Sequence, residues 1–143
     1  MKKIVMIPAI GAALMLSACQ PGQMDSKSHV MGTETSQVAI RSIQTRAFDT
    51  REQKKTLRTV IATLQDLGFV IDKADEDLGS VSGTKLDGYM LRMTVTVKPH
   101  GNKQTAVRAN AQYNVTAVED PEPYQQFFAA LEKAMFLTAH EVD

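Results

Sequence analysis

Tyr89-Met90-Leu91-Arg92-Met93-Thr94-Val95-Thr96-Val97-Lys98 is the segment on which the fold turns. Leu91, Met93, Val95 and Val97 share one parity; Arg92, Thr94, Thr96 and Lys98 share the other. Successive strand side chains point to opposite faces, so this is a strand with one dry side and one wet side. Asp87-Gly88 just before it is a tight-hairpin signal, which makes Leu78 to Leu86 the preceding strand, weakened by Gly79 and Gly83. Pro99-His100-Gly101-Asn102 reads as the following turn. From Thr105 to Val115 the alternation resumes: Val107, Ala109, Ala111, Tyr113 and Val115 inward, Arg108, Asn110, Gln112 and Asn114 outward.

Outward from that core, Phe69-Val70-Ile71 reads as a short strand and Asp72 to Asp77 as a charged turn. Leu57, Val60, Ile61, Leu64 and Leu67 make one stripe of an amphipathic helix. Asp49 is its expected N-cap, with Glu52 at the capping-box distance, and Gly68 its stop. Before it, Val38 to Phe48 is rich in β-branched residues and free of Gly and Pro, which predicts a strand. Its parity changes between Ile40 and Ile43, and a bulge near Arg41-Ser42 would reconcile the two halves. A last helix is expected after Asp120 as cap and Pro121 as first residue. Tyr124, Phe127, Phe128, Leu131, Ala134, Met135 and Thr138 form its apolar stripe, with Phe136 and Leu137 partly outside it.

The order is therefore β-α-β-β-β-β-α. Short turns make the later strands an antiparallel meander, and the alternation leaves one face to bury both helices and the other to meet water. The expected class is α+β, in two layers, with a mainly antiparallel sheet and two helices packed on one face. Over residues about 37–142 this element order resembles the helix-grip domains of small periplasmic and outer-membrane lipoproteins, such as the C lipoprotein of the barrel assembly machinery. The resemblance is one of layout and not of residue motif.

The first residues carry a different message. Met1-Lys2-Lys3 is positive, and Ile4 to Leu16 is apolar over 13 residues, followed by Ser17, Ala18 and Cys19. This is the layout of a secretory signal, and the stretch is well short of the roughly 20 residues a membrane-spanning helix needs. Cys19 is the only cysteine. An exposed free thiol is a reactive liability on an exported chain, and acylation removes it. Leu16-Ser17-Ala18-Cys19 resembles the lipobox of bacterial lipoprotein precursors. The resemblance implies removal of residues 1–18, diacylglyceryl on the Cys19 sulfur and a further acyl chain on its amine, enough chains for a lasting anchor. It also implies that Gln20, standing where Asp would favour inner-membrane retention, directs the protein to the outer membrane, facing the periplasm. Residues 20 to 36 are rich in Gly, Ser, Thr and charge and read as a tether, with a reach of about 20–25 Å as flexible coil. The expected organisation is thus 1–18 signal, 19–36 lipidated N-terminus and tether, and 37–143 a single domain.

Without Lys2 and Lys3 the chain holds 14 basic and 16 acidic residues, a net of −2. That gives no field to attract nucleic acid. With one cysteine there is no disulfide framework, so the core alone must hold the domain. His29, His100 and His140 meet no ligand spacing, and Met24, His29 and Met31 in the tether read as spacer. Ser80 and Ser82 do not fit a nucleophile elbow, and Asp72, Asp75, Glu76 and Asp77 do not fit a calcium loop. No catalytic residue, metal or cofactor is expected. The expectation is a non-catalytic interaction module of an envelope protein assembly, joined to the membrane through Cys19. Its candidate surface is the wet sheet face: Arg92, Thr94, Thr96, Lys98, Arg108, Asn110, Gln112 and Asn114. It would meet an acidic protein or the glycan layer; an unpaired sheet edge is a related route. The alternative is a carrier of a small ligand or lipid, bound between sheet and helices in a cavity under Tyr113, Phe127, Phe128 and Met135.

Overall fold

The computed structural model describes residues 37–86 and 88–140, with side chains to Phe136. Cys19, the signal segment, the tether and Asp87 of the hairpin pair lie outside the described residues. The architecture is α+β in two layers. Residues 37–44 are helical (α1). There follow β1 (Thr45–Phe48), α2 (Gln53–Asp66), β2 (Val70–Asp75), β3 (Ser80–Leu86), β4 (Met90–His100), β5 (Gln104–Tyr113), β6 (Thr116–Ala117) and α3 (Glu122–His140).

The sheet order is β1-β5-β4-β3-β2, with β6 also on β5 and every pairing antiparallel. β2 to β5 form the expected meander. The two edge strands β1 and β2 run parallel to each other, so α2, which joins them, crosses the whole inner face. Val81, Met93, Val95, Val97, Val107, Ala109 and Ala111 of the sheet are buried against Leu57, Val60 and Leu64 of α2 and Tyr124, Phe127, Phe128 and Leu131 of α3. Burying each large apolar side chain is worth about 1.5–3 kcal/mol. Gly83 belongs to this packing: a Cβ there would lie 3.3 Å from the Phe69 side chain, so the missing side chain makes room for Phe69.

Several local expectations need correction. The first half of Val38–Phe48 is helix α1, and only Thr45–Phe48 is strand. Ile40, Ile43 and Gln44 stand at helical spacing, and Gln44 is buried with its Nε2 donating to the Tyr124 hydroxyl at 3.2 Å. Asp49 does not cap α2. Its Oδ1 accepts from Gln104 Nε2 at 2.6 Å, and the cap position is Glu52, with no side-chain cap bond. The chain needs 49–52 to climb from the sheet edge onto the inner face, and the Thr105 hydroxyl holds that crossing by donating to the Thr50 carbonyl at 2.7 Å. The stop at Gly68 is as expected. Its φ is +87°, the Phe69 amide donates to the Leu64 carbonyl and the Gly68 amide to that of Gln65, which together make a Schellman motif.

Phe69 precedes β2 rather than belonging to it, and β2 continues through Asp75, so the charged segment is largely strand. A register shift between Ile71 and Lys73 leaves Asp72 outside the ladder, where its carboxylate accepts from the Thr84 hydroxyl at 2.7 Å. The turn is 76–79, and Leu78 is in it. Asp75 Oδ1 accepts from the Leu78 amide at 2.9 Å, and Glu76 pairs with Arg58 at 3.3 Å. Gly79 ends the turn with φ +64°, and a Cβ there would collide with the Val97 carbonyl and the Gln53 amide group. Tyr89 precedes β4, and Pro99 and His100 extend it by pairing with Thr105 and Gln104.

β5 stops at Tyr113. Asn114 turns with φ +53°, Val115 is 90% exposed instead of inward, and the short β6 returns along β5. At the last helix, Asp120 still accepts from the Glu122 amide at 2.9 Å, but helical residues begin at Glu122, one beyond Pro121.

Candidate functional site

The helices lie on one side of the sheet, so the other side is open among the described residues. Register fixes what it displays. Arg92 faces Gln112, Thr94 faces Asn110, Thr96 faces Arg108, and Lys98 faces Ala106. On the next strand Thr84 stands beside Arg92, Ser82 beside Thr94 and Ser80 beside Thr96. Directly paired residues in an antiparallel ladder share a face, so three strands present a grid of hydroxyls, amides and guanidinium groups. Seven of the eight residues singled out from the sequence stand in this grid; Asn114 does not, because it lies in the turn after β5. Ser80, Ser82 and Thr84 are further members that alternation along β4 and β5 alone does not reveal, although β3 sits directly beside β4.

Arg92, Lys98 and Arg108 are exposed, and the ion pairs among the described residues are Lys55–Glu52 and Arg58–Glu76. The three cations of the grid are therefore unpaired there. No Phe or Tyr stands among the outward positions of β3, β4 and β5. The face can form ionic contacts and hydrogen bonds, and it offers no ring on which to stack a sugar.

The inner side ends in a groove of about 190 Å³ lined by Lys85, Tyr89, Leu91, Tyr113, Asp120 and Glu122, together with Pro123 and Gln126. A smaller recess of about 40 Å³ adjoins it over Phe69 and Met93. The Tyr89 and Tyr113 rings meet edge to face with centroids 4.6 Å apart. Tyr113 is held above the ordinary tyrosine range by its hydrogen bond to Tyr89 and then by burial; the charges of Asp120 and Glu122 act in the same direction.

Of Tyr113, Phe127, Phe128 and Met135, under which a carrier cavity was expected, Tyr113 lines the groove and the other three are reached by neither recess. Phe127 and Phe128 are buried and packed ring against ring, centroids 5.1 Å apart, with the Arg46 guanidinium 5.2 Å from the Phe128 centroid.

The serines and carboxylates weighed from the sequence have structural partners or positions. Ser80 and Ser82 stand in the outer grid, Asp72 and Asp75 hold hydroxyl and turn amide, and Glu76 pairs with Arg58. Among the described residues no three His, Cys, Asp or Glu side chains converge where a metal ion would sit. His100 is exposed at the end of β4. The chain matches no family model and no curated protein.

Proposed function

We propose that this protein is a lipid-anchored, non-catalytic interaction module of a bacterial envelope assembly, and that its open sheet face receives an acidic partner protein. The observation that carries the reading is the three-strand grid in which Arg92, Lys98 and Arg108, which have no ion pair among the described residues, stand among threonine, serine, asparagine and glutamine. Complementary charge steers encounter and fixes register. A flat array without aromatic rings suits a protein carboxylate surface better than a glycan. The sequence Leu16-Ser17-Ala18-Cys19 supplies the anchor in this reading, and residues 20–36 hold the sheet clear of the lipid headgroups.

A photo-crosslinking side chain at Thr94, in the middle of the grid, tests it in cells that make the full chain. One acidic protein should be captured, and the double substitution Arg92→Glu with Arg108→Glu should lower its capture at least about tenfold, because like charges facing each other cost several kcal/mol. Capture unchanged by charge reversal, or capture of glycan alone, would overturn the reading.

A further inference from the structure

We propose that the groove between the β3–β4 hairpin end and the start of α3 is a second docking site, which takes a lysine or arginine side chain from a basic, partly apolar segment of a partner protein. The groove is shaped by three separate parts of the chain. Lys85 and Leu91 are paired neighbours on the inner face of β3 and β4, Leu91 pairs with Tyr113 of β5, and Asp120 and Glu122 lie at the entry to α3. Both carboxylates are partly engaged already. Asp120 Oδ1 accepts the Glu122 amide at 2.9 Å, and Glu122 Oε1 accepts Gln126 Nε2 at 3.1 Å. Neither has an ion pair among the described residues, so each is available to a cation.

The field inside the groove is negative where it meets the rings: the Asp120 and Glu122 charges both oppose ionisation of Tyr113. Tyr89 and Tyr113 add aromatic walls, to which a desolvated cation is attracted. Lys85 is the one positive lining residue. Its chain runs beside Gly68, where a Cβ would lie 3.6 Å from its Cε, which sets the ammonium group near the carbonyl end of α2, a favourable place for a cation. It is thus partly compensated by the helix and does not reach the carboxylates within 4.0 Å.

The occupant is a polypeptide rather than a small amine because the end of the molecule that holds the groove also displays exposed apolar side chains. Tyr89, which lines the groove, is 55% exposed and Val115 of the β5–β6 turn 90%, while Leu86, 79% exposed, has the outward parity of Thr84. The hydrogen bond from the Asn114 amide to the Met90 carbonyl ties the β5–β6 turn to the β3–β4 hairpin, bringing these three to one end of the molecule. A segment with one cation and flanking aliphatic residues meets both the groove and the apolar side chains at this end.

The test uses the purified full chain and a fluorescent peptide of alternating leucine and arginine, with its leucine–glutamate counterpart as control, read by anisotropy and by shifts of the tyrosine ring signals. The arginine peptide should bind and move Tyr89 and Tyr113, and the glutamate peptide should not. The double variant Asp120→Asn with Glu122→Gln, in which the amide oxygens still accept the same helix-start bonds, should bind about tenfold more weakly. Lys85→Met should bind more tightly, since it removes the one like charge and keeps the aliphatic stem. No binding of the arginine peptide, equal binding of both peptides, an unchanged double variant, or weaker binding by Lys85→Met would each overturn the proposal. The outer-face charge reversal should leave this binding unaltered, so the two sites fail separately.

Discussion

Tyr124 shows how one hydroxyl closes a gap that backbone pairing leaves. It is fully buried, donates to the Val118 carbonyl at 2.7 Å, and accepts from the Ala111 amide and from Gln44 Nε2, each at 3.2 Å. The oxygen stands between β5 and the segment after β6, where the Val118 amide reaches the Ala111 carbonyl at 2.9 Å but the return bond is missing. Tyr124→Phe keeps the ring and strips three buried groups of their partner, so it should lower unfolding stability by about 1–3 kcal/mol. Thr56 is the opposite case: its hydroxyl is buried and has no hydrogen-bond partner among the described residues. Thr56→Val should therefore leave stability unchanged or raise it by about 1 kcal/mol. Urea unfolding of the two variants reads both, and the account fails at this scale if their midpoints move in the same downward direction. Nothing in the sequence singles out Tyr124 from the other aromatic residues of its stripe, because its partners are 80, 13 and 6 residues away.

At the scale of elements, legibility followed the strength of the period. Leu91 to Val97 and Val107 to Ala111 alternate without a break and are strands with the expected faces. Leu57, Val60 and Leu64 recur at helical spacing and are buried together. Residues 37–44 are helix although the β-branched residues from Val38 onward suggest a strand; the parity change between Ile40 and Ile43 is itself the helical signal. Asp49 failed as a cap for a tertiary reason, the bond from Gln104 across 55 residues.

The edge strand β2 carries the bulge at Asp72 together with Lys73 and Asp75, and both features discourage pairing with another sheet. Asp72→Val with Lys73→Val removes that protection. The variant should self-associate at concentrations where the parent chain does not, and light scattering that stays flat would contradict this role for the edge.

For the whole molecule, two helices seal one face of a six-stranded sheet and leave the other to its surroundings. The grid on the open face was legible residue by residue, since alternation alone sends Arg92, Thr94, Thr96 and Lys98 outward. Its width was not, because register with β3 and β5 sets which side chains become neighbours. The groove was not legible either: Lys85, Tyr113 and Asp120 share no sequence pattern and meet only when β3, β5 and the start of α3 converge. In the proposed function the chain is held at a membrane, and Cys19 is the residue that would hold it.

The most direct measurement is therefore the intact mass of the protein extracted from the membranes of a bacterium that produces it, with fragmentation of its first residues. The account predicts a chain that begins at Cys19 with diacylglyceryl on the sulfur and no residue before it. A polypeptide still carrying Met1 to Ala18, or one starting at Cys19 with a bare thiol, would contradict it.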